Sequence, residues 1–227
     1  MMEKFKEYLV PLSILGAGVV VAASILFLGQ KSGLVGPANQ ALAPEENQFQ
    51  IIDQAVGVEG DPVLGNPDAK LTMIEFSDFQ CSFCKRHHEQ TFPELKAKYF
   101  DPGLVKLIFK DFPLAFHENA QPAAEAGQCA FEQGKFWEYQ DKLFENQEKL
   151  DKTSLKKYAG EIDLNQARFD SCLDSGKYRQ RVNDDAALGQ KIGVKGTTSF
   201  LIGDTLVDGA YPFAAFEKVI EEKLKEL

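Results

Sequence analysis

Hydrophobic positions fall into distinct periods along the chain. From Leu9 to Leu28 there is no charged residue. A helix needs about 20 such residues to cross a hydrocarbon core, so this stretch predicts a transmembrane helix. Gln30 to Asn47 is dominated by Gly, Pro, Ala, Asn and Gln without a period, the composition of a tether. Ala41-Leu42-Ala43 has the letters of a cleavage site. It lies well past the apolar run and precedes Pro44, so the N-terminus reads as an uncleaved anchor. Phe49, Ile51, Ile52 and Val56 suggest a short element packed on the following domain.

Turn residues crowd Asp61 to Asp68. Leu71–Phe76 is then a mostly apolar run, as in a central strand covered on both faces. Thr72 and Glu75 interrupt it. His88, Phe92, Leu95 and Tyr99 share a helical face, with a kink expected at Pro93. Leu104–Phe109 forms a second strand, and the helix-sized separation implies a parallel βαβ unit. From Asn119 to about Ile192 the period is helical throughout. Ala120 to Ala130 and Phe136 to Phe144 mark two helices, Asn165 caps a third, and Tyr178 to Ile192 fits a fourth. Thr198–Ile202 and Thr205–Val207 read as a hairpin turning at Gly203-Asp204. A last amphipathic helix starts near Pro212. The predicted organisation is an anchor over 1–30, a linker over 31–58 and an α/β domain over 59–227, with a helical insertion at about 119–192.

The chain has 227 residues and a formal net charge of −9. No basic stripe is present to neutralise phosphates, which argues against nucleic acid. The four cysteines, Cys81, Cys84, Cys129 and Cys172, all follow the apolar N-terminus. Cys129 and Cys172 are either two buried core thiols or a disulfide stapling the insertion. An oxidising compartment favours the disulfide and puts the bulk of the chain outside the cytoplasm.

Cys81-Ser82-Phe83-Cys84 lies between the first strand and the first helix. Cys81 is expected where the helix begins, with free N–H groups and the positive dipole end favouring its thiolate. Cys84, one turn in, is placed to attack a mixed disulfide formed at Cys81. Glu75 leads into this site; it is either a proton-handling acid beneath the cysteines or a solvated residue of an edge strand. A metal knuckle built on the cysteines with His87 and His88 is the rival chemistry. Adjacent helical residues diverge by about 100°, so those two histidines read more simply as helix surface. His117 reads as a structural loop residue, and Phe79 with Phe83 as a shallow apolar groove.

Asp61-Pro62-Val63-Leu64-Gly65-Asn66-Pro67 and Glu75-Phe76-Ser77-Asp78-Phe79-Gln80-Cys81 resemble the DsbA-like thiol–disulfide oxidoreductases. So do Phe112-Pro113-Leu114, Gly134-Lys135-Phe136-Trp137 and Gly193-Val194-Lys195-Gly196-Thr197. The resemblance implies a thioredoxin-like fold with an inserted helical subdomain, here preceded by a transmembrane helix. It implies Cys81 as surface nucleophile, Cys84 as buried resolving thiol, Glu75 as the acid beneath them and Lys110 as its charged neighbour. Ser82, Phe83, Thr197 and Thr198 fall where substrate is bound. No cofactor is implied beyond the redox-active Cys81–Cys84 disulfide, and no metal. The family carries a cis-proline after Gly196-Thr197, where this chain has Thr198. A non-prolyl cis bond costs about 3–4 kcal/mol, so a trans bond is expected. Without a basic residue between the cysteines, Cys81 is expected to titrate between the values of about 3.5 for DsbA and about 7 for thioredoxin.

The resulting expectation is a membrane-anchored extracytoplasmic oxidoreductase that exchanges disulfides with reduced or unfolded exported proteins, as an oxidant. A quinone-linked membrane partner would reoxidise it, and the chain reads as a monomer. The alternatives are a reductase or isomerase with the same site, or a copper- or zinc-handling module.

Overall fold

The computed structural model describes residues 49–54 and 56–227. The expected anchor over 1–30, and the linker as far as residue 48, lie outside the described residues. No helix among those described is long and apolar enough to cross a membrane.

A six-stranded sheet forms the centre. Its strands are β1 (Gln50–Ile51), β2 (Val63–Leu64), β3 (Leu71–Ser77), β4 (Val105–Asp111), β5 (Ser199–Ile202) and β6 (Thr205–Asp208). The spatial order is β1-β6-β5-β3-β4-β2. β3 and β4 are parallel, with Glu75 beside Phe109 and Phe76 beside Lys110. All other pairings are antiparallel. β3 is therefore interior, and Glu75 is a buried residue of a central strand rather than a solvated edge residue.

The crossover between β3 and β4 is broken rather than kinked. Helix α1 (Ser82–Gln90) ends at Thr91, and α2 (Phe92–Leu95) restarts with Pro93 in its first turn. Proline is tolerated there because its missing N–H would have had no partner. A π-helical turn, Lys96–Phe100, completes the crossover.

The insertion holds α3 (Ala120–Phe131), α4 (Phe136–Glu145), α5 (Lys152–Glu161), α6 (Gln166–Asp174) and α7 (Arg179–Lys191). Helix α5 was not among those expected. Its cue was Asp151, whose carboxylate accepts from the N–H groups of Thr153 and Ser154, ahead of buried Leu155, Tyr158 and Ala159. The Cys129 and Cys172 sulfurs form a disulfide joining α3 to α6. The C-terminal helix α8 (Phe213–Lys225) buries Phe216, Val219 and Ile220.

Strand alternation sorts the side chains onto two faces. Ile74, Phe76 and Ile108 pack with Phe112, Ile192 and Leu201 on one face. There α7 comes close because Gly189 has no side chain: an added Cβ would sit 2.8 Å from Phe112. Met73 and Leu107 pack with Phe200, Phe216 and Ile220 on the other. A third cluster fills the insertion and reaches Phe79, Cys81 and Cys84. Thus β3 delivers the chain from the sheet centre directly under the insertion core.

Candidate active site

Cys81 is the N-cap of α1, and Cys84 lies in the first turn. Both are thiols in the structure. Cys84 is fully buried, and Cys81 is only 4% exposed. The leading thiol is thus more enclosed than a surface nucleophile. The reason is that two distant segments close on it: its Sγ donates to the Thr197 carbonyl oxygen at 3.4 Å, and Gln147 Nε2 donates to its carbonyl oxygen at 2.9 Å. Gln147 also donates to the Phe79 carbonyl at 2.8 Å, pinning the turn that enters the helix.

The two sulfurs titrate in opposite directions. A hydrogen bond from the Cys84 thiol is the main cause that lowers Cys81 to about 5. Burial opposes this, and the Thr197 hydroxyl with the N–H groups of Cys84 and Phe83 assists. That hydroxyl is buried and has no hydrogen-bond partner among the described residues. Burial first, then the hydrogen bond and negative charge of Cys81, hold Cys84 well above an ordinary thiol. The pair therefore carries one stabilised thiolate at the helix N-terminus and one reserve thiol behind it.

Asp78, which was not singled out in the sequence, organises the loops around this pair. Its carboxylate is buried and accepts from Gln80 N at 2.7 Å, Leu114 N at 2.9 Å and His117 Nδ1 at 2.8 Å. Its own N–H points to the Cys84 sulfur at 3.5 Å. The signal was an acidic residue just past the end of a strand, but two of its partners, Leu114 and His117, lie more than thirty residues away. His87 is buried against Phe200 and Phe216 and is held neutral by burial, with its proton affinity lowered to about 3. His88 stacks on Phe92 and approaches Asp141 at 3.2 Å.

Burial raises Glu75 to about 7. Ser77, the charge of His88 and Thr198 each act in the lowering sense. Thr198 Oγ1 donates to Glu75 Oε1 at 3.5 Å. The Thr197–Thr198 peptide is cis, which corrects the expected trans bond. The local amide preference was weighed alone; in the fold Thr198 is completely buried with its hydroxyl on Glu75 and the preceding carbonyl on Cys81. Lys110 is not the neighbour of Glu75. It sits beside Phe76 in the sheet, on the opposite face, and pairs with Asp61 at 2.7 Å and Asp185 at 2.9 Å.

Ser82 and Phe83 are exposed at the start of α1, Phe83 with the Arg86 guanidinium 5.0 Å from its ring centroid. Phe79 is buried against Phe109, Phe136 and Phe144, so it is core and no part of a groove. Among the described residues, no group of three or more His, Cys, Asp or Glu is arranged to hold a metal ion.

A thioredoxin family model matches residues 57–222. BdbD from Bacillus subtilis, solved in its oxidised form, superimposes with a TM-score of 0.71 at 27% identity, covering 77% of this chain and 98% of that one. Alpha-DsbA1 from Wolbachia pipientis gives 0.68 at 25% identity, covering 75% and 94%. In sequence, the chain is 30% identical over 210 residues to a Na(+)/H(+) antiporter NhaA of Salinispora tropica, 91% of this chain and 32% of the antiporter. The NhaA of Herminiimonas arsenicoxydans is 30% identical over 75% of this chain and 27% of its own. The chain thus spans about a third of the length of the curated relatives it matches.

Proposed function

Because this chain belongs to the DsbA-like thiol–disulfide oxidoreductases of the thioredoxin family, we propose that it oxidises exported proteins through Cys81 and Cys84. In this reading a substrate thiolate attacks Cys81 Sγ, the Cys81–Cys84 bond breaks, and Cys84 leaves with the electron pair and takes up a proton. The second substrate thiolate then attacks the substrate sulfur of the mixed disulfide. Cys81 leaves as a thiolate, and the enzyme pair has gained two electrons. A quinone-linked membrane partner returns the pair to the disulfide. The domain works outside the cytoplasm on a tether that ends before β1, held by an anchor over 1–30. Ser82, Phe83 and Thr197 border the substrate, Thr198 lies buried behind them on Glu75, and the Cys129–Cys172 disulfide is structural.

The observation that carries the reading is Cys81 at the N-cap of α1 with Cys84 buried in the first turn behind it, an arrangement that lowers the first thiol and raises the second. A stabilised thiolate stabilises the reduced enzyme and so favours passing the disulfide onward. Its value of about 5 falls between those of about 3.5 for DsbA and about 7 for thioredoxin.

Trapping tests the reading. In cells, Cys84→Ser should accumulate mixed disulfides between Cys81 and exported proteins, and Cys81→Ser should accumulate none and lose turnover. Mixed disulfides that form equally without Cys81 would overturn it. Equilibration in glutathione buffers tests the direction, and a potential at or below about −270 mV would make the protein a reductase instead.

A further inference from the structure

Ser77 ends β3 two residues after Glu75, so both side chains leave the strand on the same face. It is 2% exposed. Its hydroxyl is buried and meets hydrogen-bond geometry with no group among the described residues. A buried hydroxyl left uncommitted is costly and calls for a reason. Two groups feel it. It acts on the Glu75 carboxylate and on the Cys84 thiolate, stabilising the ionised form of each.

Cys84 needs such a neighbour. It is fully buried, so bulk water does not reach its sulfur. The other donor aimed at that sulfur is the Asp78 backbone N–H at 3.5 Å, which gives a hydrogen bond but no proton. Glu75 is the carboxyl that Ser77 serves, and Thr198 Oγ1 steadies it from the loop before β5. The residues beside Glu75 in the sheet are apolar, Phe109 of β4 and Phe200 of β5, and His88 of α1 acts on it through space in the lowering sense. Beside Ser77 on β4 lies Asp111, whose Oδ2 accepts from Gln128 Nε2 at 2.6 Å while its Oδ1 has no hydrogen-bond partner among the described residues.

We propose that the Ser77 hydroxyl is a catalytic residue that relays a proton between Cys84 and Glu75. The step rests on the exchange reading above. When the substrate thiolate takes Cys81 Sγ, the electron pair of the broken S–S bond goes to Cys84 Sγ. The Ser77 O–H proton moves to that sulfur as the Glu75 carboxyl proton moves to Ser77 Oγ. Cys84 becomes a thiol and Glu75 a carboxylate. On reoxidation Cys81 first forms a mixed disulfide with the oxidising partner; the Cys84 thiol returns its proton through Ser77 to Glu75, its thiolate attacks Cys81 Sγ, and the partner's sulfur leaves with the electron pair. The proton stays inside the protein over the whole cycle.

The test is single-turnover reduction of the Cys81–Cys84 disulfide in the full chain by dithiothreitol, from about pH 5 to about pH 9. Rates are taken relative to wild type, so the ionisation of the reductant cancels. Below the Glu75 inflection at about 7, Ser77→Ala should be slower by at least about tenfold, the lower end of general-acid contributions. Above it the two should converge, because Glu75 has no proton to give. Ser77→Thr should restore the wild-type profile, and Glu75→Gln/Ser77→Ala should be no slower than Glu75→Gln. Equal slowing at every pH, an additive double variant, or an unchanged Ser77→Ala profile would overturn the relay; the last would mean that a water bridges the two groups. Where Ser77→Ala does not fold, Ser77→Gly takes its place. A wild-type pair that accepts no electrons from dithiothreitol would sink the exchange reading, whereas a competent wild type with indistinguishable Ser77 variants sinks the relay alone.

Discussion

The sulfur of Cys81 and the carbonyl oxygen of Thr197 lie 3.4 Å apart, across 116 residues of sequence. This contact closes the mouth of the site. It seats the loop before β5 on the start of α1, so one dipeptide touches both reacting groups: Thr197 the thiol, Thr198 the buried acid.

The Thr197 side chain should tune that thiol. Its hydroxyl acts on the Cys81 thiolate and has no other hydrogen-bond partner among the described residues. Thr197→Val keeps the shape and removes the donor, and hydrogen bonds to charged groups are the strong ones. The expected outcome is a higher Cys81 inflection in thiolate absorbance, with alkylation at pH 6 correspondingly slower. An unmoved inflection would mean that the hydroxyl does nothing for the thiolate.

Glu75 should make stability pH-dependent in a particular direction. Its value rises from an ordinary 4.5 to about 7 in the fold. Between those values the folded chain holds a proton that the unfolded chain has released, so stability falls as pH rises through the window. The difference corresponds to about 3 kcal/mol. Glu75→Gln should therefore be more stable than wild type by about that amount at pH 8, and nearly equal to it at pH 4. His87, neutral in both chains, cancels from the comparison. Urea unfolding at the two pH values measures this; a variant less stable than wild type at pH 8 would contradict it.

Lys110 is a structural cation. It is 6% exposed and bridges Asp61 and Asp185. Removing one member of a buried ion pair typically costs about 3–5 kcal/mol, because the partners stay buried without their counter-charge. Lys110→Met should lower stability by that order. Because Lys110 faces away from Glu75, the pH inflection of disulfide reduction should stay where it is. A moved inflection would restore Lys110 as the acid's neighbour.

The Cys129–Cys172 disulfide spans a sequence separation of 43. A closed loop of this size stabilises by roughly 3–4 kcal/mol in the chain-entropy model. The Cys129→Ala/Cys172→Ala chain should unfold at correspondingly lower denaturant while keeping the Cys81 titration. Two thiols beyond Cys81 and Cys84 in denatured, non-reduced wild type would refute the bond.

Much of the fold was legible because its cues are local. The apolar run into Cys81, the turn at Gly203-Asp204 and Pro212 at a helix start each speak through neighbouring residues. The CxxC spacing likewise announced its own chemistry. Most of what surrounds the cysteines did not, since Gln147 reaches Cys81 and Leu114 reaches Asp78 from far along the chain; Thr197 was placed there by the family resemblance alone. The Lys110 assignment failed on register: strand alternation puts it opposite Glu75, which only the pairing of β3 with β4 reveals. The backbone at Thr198 was judged by an isolated amide, and the fold weighs its neighbours as well. Helix α5 was overlooked although Asp151 marked its start.

The whole account stands on an acidic thiol at Cys81. Thiolate absorbance of the reduced full chain, followed from about pH 3 to about pH 10 and repeated on Cys81→Ser, measures it directly. The expected result is an inflection near 5 that vanishes in the variant. An inflection at or above the ordinary thiol value of 9.0 would contradict it.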